Sequence, residues 1–169
     1  MSLVNILVMY IHIGAGIFWI GSLLYVRFIL LPGLGNTPPD VRGPVIAEVG
    51  PRTIRIILRV AEVTIAAGII NVFLMGRITR MADFYTTTWG LSIFAGLVGA
   101  LAIYILGQTV TRPITFKIAE TVRAVGTGQG PADAPVLLAA LAERQRNVLT
   151  VQVIIGVVVV LGMAIARFS

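Results

Sequence analysis

Apolar residues in this chain come in four long blocks, and polar residues collect between them. The first block runs from Leu3 to Leu31 and ends at Pro32-Gly33, a pair that stops helices. The second runs from about Thr53 to Gly76, the third from Trp89 to about Thr111, and the fourth from Val148 to Ala166. Each reaches the length of a transmembrane α-helix, about 20 mostly apolar residues. Trp89, at the start of the third, suits the bilayer interface. The pattern predicts an all-α, four-transmembrane-helix bundle forming one domain over residues 1–169. Residues 33–51, with Pro32 ahead of them, include four more prolines and predict a loop with one short helical turn near Val45 to Val49. Residues 77–88 predict a short polar link.

The stretch between the third and fourth blocks, residues 112–147, is too patterned to be a plain loop. Ile114, Ile118, Val122 and Val125 recur at helical spacing, so the third helix is expected to continue beyond the membrane after a bend at Pro113. Gly126-Thr127-Gly128-Gln129-Gly130-Pro131 reads as a turn. Asp133 then stands as an N-cap with Pro135 in the first turn, and a helix bearing Leu137, Leu138 and Leu141 runs into the fourth span. The expectation is a helical hairpin standing out of the bilayer.

Composition agrees. Hydrophobic residues make up 57% of the chain and charged residues 12%, with a mean hydropathy of +0.97. A soluble domain carries about 25% charged residues, so this chain has too few to cover a water-facing surface. The N-terminus lacks the basic region of a signal peptide, and its apolar run exceeds the usual span of about 7–15 residues, so it is read as a retained first helix. The absence of cysteine excludes disulfides, thiolate metal sites and cysteine nucleophiles.

A net charge of +6 invites a nucleic-acid reading, but seven of the thirteen basic residues flank or enter apolar spans and no basic run is interleaved with aromatics. The expected partner is the lipid bilayer, together with a homo-oligomer or a larger membrane complex, and no nucleic acid. Four spans leave both termini and the 77–88 link on one side, with Arg77, Arg80 and Arg167. The other side holds Arg27, Arg42, Arg52, Arg55, Arg112, Lys117, Arg123, Arg144 and Arg146. Nine against three places the hairpin in the cytoplasm and both termini outside an inner (plasma) membrane.

Within the spans, a few residues stand out chemically. His12 is the only histidine and lies inside the first block. An imidazole in hydrocarbon is costly and usually faces the bundle interior. It can ligate haem iron or another metal, relay protons, or simply hydrogen-bond a neighbouring helix. Met1, Met9, Met75, Met81 and Met163 all map to the outer third of the bundle or just outside it, with Met9 one turn from His12. Thioethers and imidazole suit Cu(I), so His12, Met9, Met75 and Met163 form a candidate metal set, against ordinary core packing. In the second block Arg59 and Glu62 stand at i, i+3 and can pair, as a structural ion pair, as an anchor for an anionic group such as a porphyrin propionate, or as part of a proton path. Gly16 and Trp19 share the His12 face at i+4 and i+7, as the floor and wall of a pocket would. Glycines at 14, 16, 21, 68, 96, 99 and 156 mark faces where helices can pack closely. No Gly-x-Ser-x-Gly elbow, acid–base dyad or phosphate loop is present, so hydrolase and transferase chemistry has no support.

The first span reads Ile11-His12-Ile13-Gly14-Ala15-Gly16-Ile17-Phe18-Trp19-Ile20-Gly21-Ser22-Leu23-Leu24, then Arg27 and Leu30-Leu31-Pro32. It resembles the opening helix of CopD-like copper-resistance membrane proteins and their small four-helix relatives, in which a histidine precedes a tryptophan-glycine step and a leucine-proline exit. It is also similar to the bacterial membrane protoporphyrinogen oxidase, a four-helix haem-binding protein. The detailed resemblance covers about thirty residues and implies His12 as the ligand of haem or copper. That oxidase family is expected to use a lysine in a later span, whereas the only lysine here, Lys117, falls in the hairpin, which argues against porphyrinogen oxidation. The leading expectation is a b-type haem protein for electron transfer or haem handling, with His12 as axial ligand and Gly16, Trp19, Arg59 and Glu62 around the cofactor. Copper binding or transport is the alternative, and a structural subunit of a larger membrane complex is the third.

Overall fold

A computed structural model of the chain describes residues 2–76 and 80–168. Met1, Arg77 and the side chain of Arg167, which entered the sequence reading, lie outside the described residues. The chain is all-α, with no strand among the described residues. Four helices are long and apolar enough to cross a membrane: α1 (Leu3–Gly35), α2 (Pro39–Leu74), α4 (Thr88–Gly126) and α5 (Ala134–Phe168). A single short turn of helix, α3 (Asp83–Thr86), sits in the link between α2 and α4. The outward positions of the long helices are apolar: Ile17 on α1, Phe73 on α2, Leu91 on α4 and Val158 on α5 are all exposed. Single exposed apolar residues are ordinary, but whole helix faces of them call for lipid as solvent. This is a multi-pass membrane protein.

Two compact units divide the chain, and each draws residues from all four long helices. One gathers the residues up to Gly21, Arg59–Tyr104 and those from Val153 on; the other gathers Ser22–Leu58 and Ile105–Gln152. In the first, small residues let side chains of a neighbouring helix sit against the backbone. A Cβ on Gly96 would strike the thioether of Met163, and one on Gly99 would strike Val159.

The second unit corrects the reading of residues 33–51. They do not form a loop with a turn at 45–49; helix α2 begins at Pro39 and continues unbroken through Pro44 and Pro51. A proline inside a helix removes one N–H and leaves the carbonyl four residues earlier without its partner. For Pro44 that carbonyl belongs to Asp40, which is exposed and can be hydrated. For Pro51 it belongs to Ala47, which is buried. Here the Arg123 guanidinium donates to the Ala47 oxygen at 2.7 Å, replacing the missing bond from a different helix. Gly43 and Gly50 complete the fit, since a Cβ on either would come within 3.2 Å of Val122 or Thr115 on α4. The expected hairpin of residues 112–147 is present as helix, turn and helix, but it packs with this extension of α2. Gly128 takes φ +73° in its turn, a region glycine enters without penalty.

Pro32 does not stop α1, and α4 continues past Pro113. Each helix opens into one wide π turn, Val26–Leu30 and Gly107–Thr111. In both cases the turn begins six residues before a proline, Pro32 and Pro113. The N–H just before each proline reaches back five residues, Leu31 to the Val26 oxygen and Arg112 to the Gly107 oxygen. Widening the turn moves the carbonyl that would clash with the pyrrolidine ring, so the helix passes through instead of breaking. Both turns border a small apolar cavity of about 70 Å³, with Leu23, Ile54, Ile57 and Leu149 among its walls. Next to it the polar residues are satisfied by one another: Thr111 donates to Gln152 at 3.1 Å, and Gln145 donates to Thr115 at 2.8 Å.

Candidate functional site

His12 sits at a close approach of α1 and α2 in the first unit. Its Nδ1 lies 2.9 Å from the main-chain oxygen of Thr64. A carbonyl only accepts, so Nδ1 carries the proton and donates. That leaves Nε2 with its lone pair, and no hydrogen bond to Nε2 is found among the described residues. A helical carbonyl is normally flanked by the side chain four residues on. At Thr64 that residue is Gly68, so the flank is open and the imidazole lies in it. A Cβ on Gly68 would fall 2.7 Å from His12 Cε1 and 2.9 Å from Nδ1. Thr64 turns its own hydroxyl back to the Val60 oxygen at 2.8 Å and presents its methyl to Gly16, where a Cβ would meet it at 3.6 Å. Gly16, Thr64 and Gly68 therefore make the close crossing that seats the ring.

One turn beyond Gly68 on the same helix, Asn71 holds a side-chain oxygen that is buried and has no hydrogen-bond partner among the described residues. Buried polar atoms are nearly always paired, which marks this end of the crossing as polar in character. Trp19 is 3% exposed, a core residue of this unit rather than an open wall.

Arg59 and Glu62 form the pair expected from their spacing, Nη1 to Oε2 at 2.8 Å. The Tyr104 hydroxyl of α4 donates to the other Glu62 oxygen at 2.9 Å. Although the pair lies within the second apolar block, the Arg59 side chain is 81% exposed and faces outward. Beside it, Ala15, Phe18, Val60 and Val63 line an open recess of about 310 Å³.

Three methionines of the candidate metal set lie on α1, just past the end of α2 and on α5. Met9 is half-buried one turn away on α1. Met75 follows Leu74, whose carbonyl accepts from Asn5 at 3.3 Å, so it lies level with residue 5, about 10 Å along the helix from His12. Met163 packs against Gly96. Among the described residues no group of three or more His, Cys, Asp or Glu is placed to hold a metal ion.

Thr64, Asn71 and Tyr104 were missed in the sequence, where each is a lone polar residue in an apolar run. Gly68 was noted only as a packing position. A Thr-x-x-x-Gly spacing in the second span is the one signal that could have paired this face with His12.

No protein-family model matches the chain, and no curated protein and no solved structure matches it either. The fold and the site therefore define it as an all-α multi-pass membrane protein with one backbone-anchored imidazole at a glycine-lined helix crossing.

Proposed function

We propose that this protein binds haem b, with His12 Nε2 as an axial ligand, for electron transfer or haem handling. The observation that supports this reading is the 2.9 Å bond from His12 Nδ1 to the Thr64 carbonyl. Ligating histidines commonly donate their second nitrogen to a carbonyl or carboxylate, which selects the tautomer, orients the ring and raises its basicity. One nitrogen suffices for a macrocycle that brings four ligands of its own, whereas a bare copper ion would need further donors beside His12. The apolar recess beside Ala15 and Phe18 suits a ring edge, and Arg59 at its border suits a propionate. With a single histidine per chain, a second axial histidine would have to come from another copy.

The test is the absorption spectrum of the protein in mild detergent, oxidised and then reduced with dithionite, beside His12→Ala. A Soret band that shifts on reduction and is lost in the variant is expected. A colourless protein that does not take up added hemin would sink the reading and make copper stoichiometry the next measurement.

The nine-to-three distribution of basic residues supports an inner (plasma) membrane with the 112–147 segment in the cytoplasm and both termini outside. Because the chain has no cysteine, single cysteines can report this directly. A membrane-impermeant maleimide added to intact cells should label Ser2→Cys and spare Gln129→Cys; the reverse pattern would invert the topology.

A further inference from the structure

The arginine-rich unit carries a cationic feature that the histidine site does not use. Phe116 of α4 stands between two guanidiniums, Arg55 of α2 with Cζ 6.0 Å from the ring centroid and Arg112 of α4 with Cζ at 5.9 Å. Arg55 Nε donates to the Pro51 oxygen at 3.0 Å, and Arg112 Nη1 donates to Gln108 Oε1 at 3.1 Å. These contacts hold the two groups around one ring without neutralising either. Among the described residues neither has a carboxylate partner, whereas Lys117 pairs with Glu120 and Arg123 with Glu48 in the same unit. Two like charges are thus gathered on one aromatic side chain and left uncompensated. Each guanidinium keeps N–H donors free in the planar fork that matches a phosphate.

Their place along the chain points to the source of the missing anion. Arg55 lies two residues inside the second apolar block and Arg112 one residue past the third. In the sequence reading those two block ends fall on the same side of the bilayer. Phe116 is 39% exposed between them, an apolar surface suited to the glycerol and upper acyl region. Arg52, one turn before Arg55, is also exposed and adds to the positive field. We propose that Arg55, Phe116 and Arg112 form a binding site for the phosphodiester headgroup of an anionic membrane lipid.

Native mass spectrometry of the detergent-purified full chain, titrated with phosphatidylglycerol or phosphatidylcholine, tests this. Phosphatidylglycerol adducts are expected to exceed phosphatidylcholine adducts on the unmodified chain. The Arg55→Gln/Arg112→Gln double variant should bind phosphatidylglycerol about 30-fold more weakly, and Arg112→Gln alone about 5-fold. Arg144→Gln/Arg146→Gln, which removes the same charge elsewhere in the unit, should leave binding within about 2-fold. Equal losses in both double variants would reduce the effect to net charge and overturn the site. So would unchanged binding in the single Arg112→Gln variant, which keeps the α2 side intact and guards against misfolding. Displacement of the lipid by millimolar inorganic phosphate would assign the arginines to a soluble anion and overturn the lipid assignment.

Discussion

Replacing Gly68 with alanine is expected to abolish at least nine-tenths of haem uptake while changing stability by only about 1 kcal/mol. The new methyl would lie 2.7 Å from His12 Cε1 and 2.9 Å from Nδ1, too close for the ring to stay where it is. Because an imidazole sits at the end of a flexible side chain, it can swing away, at the cost of its bond to Thr64, about 0.5–1.5 kcal/mol. Alanine returns a similar amount, up to about 1 kcal/mol, through helix propensity. The two terms nearly cancel in the fold, but the displaced Nε2 no longer points where the crossing aimed it. Thermal unfolding in detergent and hemin titration separate the effects. Gly14→Ala, on α1 near His12 with open space around its Cβ, serves as the control and should bind normally. If Gly68→Ala bound hemin with an unaltered spectrum, the Thr64 anchor would not be what orients the ligand.

The second large effect is expected at Arg123, far in sequence from the group it serves. Arg123→Ala would leave the Ala47 carbonyl buried and without a donor, because Pro51 has no N–H to offer it. An unsatisfied buried carbonyl costs about 1–3 kcal/mol, and a charged donor is lost as well, so a destabilisation of about 2–3 kcal/mol is expected. The companion ion pair to Glu48, at 3.4 Å on an exposed side chain, adds little. A double-mutant cycle with Pro51→Ala makes the argument specific. Alanine at 51 restores the helical N–H to Ala47, so Arg123→Ala in that background should cost at least about 1 kcal/mol less. Additive losses, measured as shifts in the denaturation midpoint in mixed detergent, would show that Arg123 stabilises the unit by some other route.

These two positions also show where sequence reasoning reached and where it ran out. His12 was legible because a histidine in an apolar block is rare and costly, and Arg59 with Glu62 because their spacing puts them on one side of a helix. The partner of His12 was not legible. It is a main-chain carbonyl, which every residue has, and Gly68 makes it reachable by what it lacks. Tyr104 was invisible as the third member of the Arg59–Glu62 group, since nothing local links residues 62 and 104. The methionines shared a predicted depth, but depth is one coordinate, and it did not show that Met163 packs against Gly96.

Sequence alone determined the membrane class, the four spans and the helical continuation past the third. Those are sums over neighbouring residues: apolarity over about 20 positions, helical periodicity, turn glycines. Tertiary structure decided whether the prolines break helices. Pro32, Pro44 and Pro51 read as stops and Pro113 as a bend, yet all four lie within continuous helices. Two are absorbed by wide turns, one by an exposed carbonyl and one by an arginine 72 residues away in the chain. A proline removes a hydrogen bond locally, but whether that loss ends a helix depends on how the turn widens and on what else, water or a packed side chain, can reach the orphaned carbonyl.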